Sequence, residues 1–160
     1  YVQYTSARAQ GLDAAVQHYD ALIKDFAGSE YAVLASLDMA KAQVGKNDLA
    51  AARAHLQWAL DHARTEGVKL ATRLRLARVE LAAGEIDAAE RLIAGSADPG
   101  FAALYEELRG DIAAARGDLT AAHDAYERAL AAMPENLPGR ALIEAKRDDA
   151  VRESAAGQAS

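Results

Sequence analysis

A helix-turn-helix pattern recurs three times in this chain of 160 residues, and the repetition constrains the fold more than any single residue does. Its clearest landmark is the turn, written Asn47-Asp48-Leu49, then Gly84-Glu85-Ile86 and then Gly117-Asp118-Leu119. The spacings are 37 residues (47 to 84) and 33 residues (84 to 117). A small residue follows each turn where two helices of a pair would cross: Ala52, Ala89 and Ala122. Such pairs bury their apolar faces only by stacking on their neighbours.

The composition favours helices over strands, because 51% of the residues are hydrophobic but only 6% are aromatic. A period near ~34 residues, with a small residue at each helix crossing, is typical of tetratricopeptide (TPR) repeats. We therefore predict an all-α, tetratricopeptide-like solenoid of helical hairpins with a C-terminal capping helix.

The breakers between the periodic segments predict one repeat domain over residues 1–153. In its last segment the apolar residues would pack on the preceding pair, while Lys146 and its charged neighbours face water and cap the stack. A small, polar tail at residues 154–160 is predicted to be disordered. The predicted helix pairs and cap lie at about 1–27, 29–63, 68–95, 100–133 and 137–152.

Charge and cysteine content exclude several classes of function. The formal net charge is −6 without a basic stripe, which argues against binding to nucleic acid or to an anionic membrane surface. There are no cysteines, so disulfides and thiolate metal sites are excluded. No run reaches the ~20 apolar residues that span a bilayer. Because the chain begins with Tyr1 inside an expected helix, we expect a fragment or a processed form.

Catalytic and metal-binding patterns are weak. His55 and His62 lie seven residues apart on one predicted helix, which is more than the one-turn spacing that lets two imidazoles share a metal. The acid pairs Glu106-Glu107 and Asp148-Asp149 are better explained as solvated helix faces. We therefore expect no enzyme activity, no metal and no cofactor. Metal-dependent chemistry through the two histidines remains the alternative.

The predicted functional surface is the concave groove lined by the first helix of each pair. Its mixture of apolar and charged groups favours an apolar groove that receives a partner helix or an extended segment. A carboxylate clamp is not supported, since only two of these residues are basic. The equal alternative is that the leucines pack between adjacent repeats, and Trp58 is a separate candidate contact. The predicted partner-binding residues are Leu34, Leu37, Lys41, Val44, Leu74, Arg78, Leu81, Leu104, Glu107 and Asp111.

Local sequence also resembles the periplasmic portion of the YfgM family, the ancillary subunits of the bacterial Sec translocon. The resemblance covers roughly residues 5 to 150, and its most specific elements are Leu-Arg-Leu-Ala-Arg at 74–78 and Leu-Arg-Gly-Asp at 108–111. The segments that carry it are residues 31–40, 74–79, 108–112 and 116–118.

The resemblance implies a single transmembrane helix upstream of this chain and a repeat domain on the periplasmic face of the bacterial inner membrane. The implied partners are the SecYEG channel and the membrane-anchored periplasmic chaperone PpiD. The implied function is a non-enzymatic interaction scaffold that links the two during export of secreted and outer-membrane proteins. The alternative is a soluble TPR adaptor that binds a peptide or self-associates without a membrane tether.

Overall fold

The computed structural model describes residues 1–95 and 98–158 of the chain. Within these ranges the secondary structure is helical and contains no strand, which confirms the all-α prediction. A short 3₁₀ turn at Pro99–Phe101 precedes the seventh α-helix. The α-helices are α1 (Val2–Gln10), α2 (Leu12–Asp25), α3 (Glu30–Gly45), α4 (Leu49–His62), α5 (Glu66–Ala82), α6 (Ile86–Ile93), α7 (Ala102–Ala115), α8 (Leu119–Ala131) and α9 (Arg140–Gln158).

The chain divides into two compact units at the turn after α5, which we call unit 1 (residues 1–83) and unit 2 (residues 84–160). The predicted pair at 68–95 straddles this boundary. Helix α9 begins at Arg140 and ends at Gln158, so it includes part of the tail that was predicted to be disordered. The last two residues of that predicted tail, 159 and 160, lie outside the described residues.

The repeated turns share one backbone geometry. Asn47, Gly84 and Gly117 have φ angles of 59°, 82° and 79°, in the left-handed region that glycine and asparagine adopt most easily. The following helix is then capped in two cases, where the Asp48 and Asp118 carboxylates accept backbone N–H bonds at 3.0 Å. The periodic landmarks in the sequence are therefore the places where each hairpin reverses.

In unit 1, small residues let the helices approach closely, and tyrosines fill the space beside them. Ala15 and Ala52 are both fully buried. Tyr19 lies in the core formed by α1, α2 and α3, and its hydroxyl is 3.1 Å from the hydroxyl oxygen of Ser36. The Ser36 hydroxyl donates to the backbone carbonyl oxygen of His55 at 2.8 Å. This buried hydrogen-bond network connects α2, α3 and α4.

In unit 2, helices α7, α8 and α9 form a core in which Gly110 of α7 lies against the ring of Tyr126 of α8. The Tyr126 hydroxyl donates to Asp111 at 2.9 Å. Helix α9 packs against α8 through Ile143 and Ala150. Arg140 of this helix donates to the Leu130 carbonyl oxygen at 2.8 Å, which satisfies a group near the end of α8. The C-terminal helix thus covers the last hairpin, as the predicted cap requires.

Candidate functional site: an apolar groove in unit 1

Helices α3, α4 and α5 surround an open groove of about 470 Å³ in unit 1, which we call the α3–α5 groove. Two thirds of its lining side chains are apolar, and the charged ones come from α3 and α5. The lining residues are Leu34, Leu37, Asp38, Ala40, Lys41, Val44, Leu49, Leu56, Arg75, Arg78, Val79 and Ala82. Half of the ten residues predicted for the partner site are therefore brought together here: Leu34, Leu37, Lys41, Val44 and Arg78.

The α3 wall is apolar because this helix has more apolar surface than its neighbours cover. One side of α3 packs on α2 and α4 through buried residues such as Val33 and Met39. The residues at spacings of three and four on its other side remain accessible, and Leu34 and Val44 are 44% and 46% exposed. Exposed leucine and valine side chains beside a cavity are the usual composition of a protein-binding groove.

The α5 wall is shifted by one residue from the predicted one. The prediction placed Leu74, Arg78 and Leu81 on the groove face. The structure buries Leu74 at 2% exposure and leaves Leu81 half-buried, so that Arg78 alone of the three lines the groove. The lining residues of α5 are instead Arg75, Arg78, Val79 and Ala82, which form an i, i+3, i+4, i+7 stripe.

The charged groups of the groove differ in their surroundings. The Asp38 carboxylate accepts hydrogen bonds from the Tyr4 hydroxyl at 2.7 Å and from Arg8 Nε at 2.9 Å. Burial and the hydrogen bond to Asp38 both raise the pKa of Tyr4, so the phenol stays protonated and keeps donating. Lys41, also on α3, and Arg75 on α5 are exposed to solvent.

The remaining predicted site residues belong to unit 2. Leu104 is 41% exposed and lines, with Glu107, a separate cavity beside the α8–α9 connection. Lys146 Nζ lies 2.9 Å from carboxylate oxygens of both Glu107 and Asp111, and its side chain is only 27% exposed. The prediction that Lys146 faces water is therefore wrong: its ammonium holds α9 to the two acids of α7. Burial lowers the pKa of Lys146, but the two carboxylates outweigh burial and raise it overall.

The histidines and the tryptophan have structural contacts. The Nδ1 atom of His55 lies 3.0 Å from the hydroxyl oxygen of Tyr19. The His62 ring stacks on Trp58 with centroids 4.0 Å apart, and Trp58 is half-buried against the cores of unit 1. In the part of the chain that the structure describes, no group of three or more potential metal-ligating side chains comes together.

The free energy of unfolding should fall as the pH drops below 6.5, in part because of His55. Burial lowers the pKa of this imidazole from its ordinary value of 6.5, against weaker opposing effects of Asp20 and Asp48. The unfolded chain then binds a proton at a higher pH than the folded chain does. Protonation of His55 therefore does not reduce the free energy of unfolding above pH 6.5. As the pH falls from 6.5 to the lower folded-state pKa, the free energy of unfolding decreases, and below that pKa His55 causes no further loss.

We expect His55→Asn to flatten this dependence, which urea denaturation between about pH 7.5 and pH 5 would measure. His18→Asn, at an exposed position of α2, is the matched control. An unchanged slope in His55→Asn relative to the unaltered chain would contradict the assignment to His55.

None of the helices in residues 1–95 and 98–158 combines the length and the apolar character that a bilayer span requires.

Comparison with known proteins agrees with this architecture. A family model described as tetratricopeptide repeat-like domain matches residues 1–152. The chain is 38% identical over 97 residues to the ancillary SecYEG translocon subunit of Escherichia coli (strain K12), an alignment that covers 61% of this chain and 47% of that protein. It is 37% identical over 99 residues to the protein of the same name from Haemophilus influenzae, covering 62% and 48%.

A third relative with that name, from Aggregatibacter actinomycetemcomitans, is 30% identical over 116 residues, covering 72% of this chain and 57% of the relative. The chain thus spans about half the length of the curated relatives that it matches. No solved structure matches. The chain belongs to the tetratricopeptide repeat-like domain family, and its similarity to the ancillary SecYEG translocon subunits confirms the resemblance to the YfgM family.

Proposed function

We propose that this chain is a non-enzymatic protein-interaction domain that acts at the SecYEG translocon, and that the α3–α5 groove receives a segment of a partner protein. The observation that carries the proposal is the exposure of Leu34 and Val44 along an open groove of about 470 Å³. Complete burial of a fully exposed leucine or valine contributes roughly 1.5–3 kcal/mol, and these two side chains, 44% and 46% exposed, retain about half of that before the costs of association. A few such side chains usually carry most of the binding energy of an interface, so these two are the positions to test.

The translocon enters the proposal through the relatives, which are named as subunits of that assembly. By the same resemblance, the finer proposal is that the domain lies on the periplasmic face of the inner membrane. There it would link SecYEG with the chaperone PpiD during export of secreted and outer-membrane proteins.

The test is capture of purified SecYEG, and separately of the periplasmic domain of PpiD, from the organism that encodes the chain. We expect the double variant Leu34→Asp with Val44→Asp to lower capture of at least one of them by tenfold or more, because each aspartate would be desolvated in the groove. Both positions are exposed in the free chain, so the helicity measured by circular dichroism should stay unchanged.

Val16→Asp is the matched control, because Val16 lies on α2 of the same unit, is 37% exposed and does not line the groove. Its capture should equal that of the unaltered chain. Equal capture by the double variant would remove the groove from the proposal. If the unaltered chain captured neither SecYEG nor PpiD, the translocon assignment itself would fail.

A further inference from the structure

The α3–α5 groove is positively lined within a chain whose net charge is −6. Lys41 on α3 and Arg75 and Arg78 on α5 contribute cationic side chains to its walls. Arg75 and Arg78 are three residues apart on one helix and therefore lie on the same face. Among the described residues that line the groove, the acidic one is Asp38, and Arg8 of α1 balances its charge at 2.9 Å.

Lys41 and Arg75, which are both exposed, put positive charge beside exposed apolar side chains. Leu34 and Val44 offer binding energy to any apolar segment, so they discriminate poorly among partners. The cationic groups distinguish acidic from basic partners. Opposite charges across an interface accelerate association, and like charges weaken binding of a basic partner. Guanidinium groups in particular bind carboxylates with two parallel hydrogen bonds.

We propose that the occupant of the α3–α5 groove is an acidic amphipathic segment of another protein, with apolar side chains at helical spacing and Asp or Glu at its edges. This inference rests on the proposed function and specifies the chemistry of the partner. The apolar side chains contact Leu34, Leu37 and Val44, while the carboxylates of the segment face Lys41 and Arg75. A segment with lysines in place of the acids is rejected by the same groove.

The experiment uses two fluorescein-labelled peptides of about 16 residues, a length at which an isolated peptide can begin to form a helix in water. Both carry leucines at i, i+3, i+4 and i+7, and they differ only in having glutamate or lysine at the edge positions. Fluorescence anisotropy with the unaltered chain should show at least tenfold tighter binding of the glutamate peptide at low ionic strength. The preference should shrink as salt rises from about 0.05 M to about 0.5 M, because salt screens exposed charges.

The double variant Lys41→Glu with Arg75→Glu should reverse the preference, so that the lysine peptide binds more tightly than the glutamate peptide. The matched control is Lys24→Glu with Lys69→Glu, which changes the net charge of the chain equally in the same unit but away from the groove. This control should keep the preference of the unaltered chain. Circular dichroism of each variant establishes that its helices are intact.

Equal affinity of the unaltered chain for both peptides, binding of neither at millimolar concentration, or an unaltered preference in the groove variant would each overturn the inference. Sedimentation of the chain alone tests a different occupant, a second copy of the chain. A dimer that dissociates in Lys41→Glu with Arg75→Glu would also overturn it. The two proposals can fail separately. If the Leu34 and Val44 variant lost translocon capture but the peptide experiment failed, the proposed function would be supported and the preference for an acidic partner would be refuted.

Discussion

Lys146→Met is expected to lower the free energy of unfolding by about 3 kcal/mol, as measured by urea denaturation followed by circular dichroism. The substitution keeps most of the apolar stem but removes the ammonium that pairs with Glu107 and Asp111. Those carboxylate side chains are only 14% and 23% exposed, so water cannot fully replace the lost partner. The Tyr126 hydroxyl, which donates to the same Asp111, compensates only in part.

The neighbouring cation on α9 provides the control. Arg147 pairs with Glu127 and Asp148, whose side chains are 49% and 56% exposed. Ion pairs with acids this exposed contribute little to stability, so Arg147→Met should lower the free energy of unfolding much less than Lys146→Met does. Adding Glu107→Gln to Lys146→Met should recover part of the loss, because it removes one of the two largely buried negative charges that Lys146 neutralises. Equal effects of Lys146→Met and Arg147→Met would show that burial of the α7–α9 ion pair has no energetic role.

Gly110→Ala is expected to lower the free energy of unfolding by about 2 kcal/mol, although alanine is the better helix former by about 1 kcal/mol. A Cβ at this position would lie only 2.3 Å from Cε1 of Tyr126, too close for any van der Waals contact. The ring cannot swing aside freely, because it is 3% exposed and its hydroxyl donates to Asp111. Overpacking therefore outweighs the gain in helix propensity.

A double-mutant cycle checks the cause of that loss. In a Tyr126→Leu background the clash with the ring is absent, so Gly110→Ala should become neutral or slightly stabilising. Gly67→Ala in α5 is the matched control, since nothing lies within 4 Å of the Cβ that it would add. It should be neutral or stabilise by up to about 0.5 kcal/mol. A loss in Gly110→Ala that persists without the tyrosine ring would refute steric overlap as its source.

The sequence was sufficient to predict the features that depend on local chain geometry. A left-handed residue followed by a capping aspartate has a strong local signature, so the turns at Asn47 and Gly117 could be placed by inspection. The α3 wall of the groove could also be predicted, because α3 has apolar residues on nearly every face. Its neighbours cannot cover all of them, and Leu34 and Val44 are the ones left exposed. These inferences required no knowledge of distant contacts.

The other wall depended on how α5 is rotated about its axis. Leucines at 70, 74, 76 and 81 allow more than one apolar stripe, and a rotation of one residue, about 100°, moves Leu74 into the core and Arg75 into the groove. Likewise, helical spacing alone predicts that Glu107 and Asp111 lie in the groove. In the structure they bind Lys146, which is 39 and 35 residues away in the sequence. Such choices are made by tertiary contacts, which periodicity alone does not encode.

The position of the single tryptophan has a spectroscopic consequence. Trp58 belongs to unit 1 and stacks on His62, whereas unit 2 contains no indole. Its emission therefore monitors one unit, while ellipticity at 222 nm sums over both. Both signals can be recorded in a single denaturant titration. Coincident curves would mean that the two units unfold cooperatively, and curves with different midpoints would mean that they unfold separately.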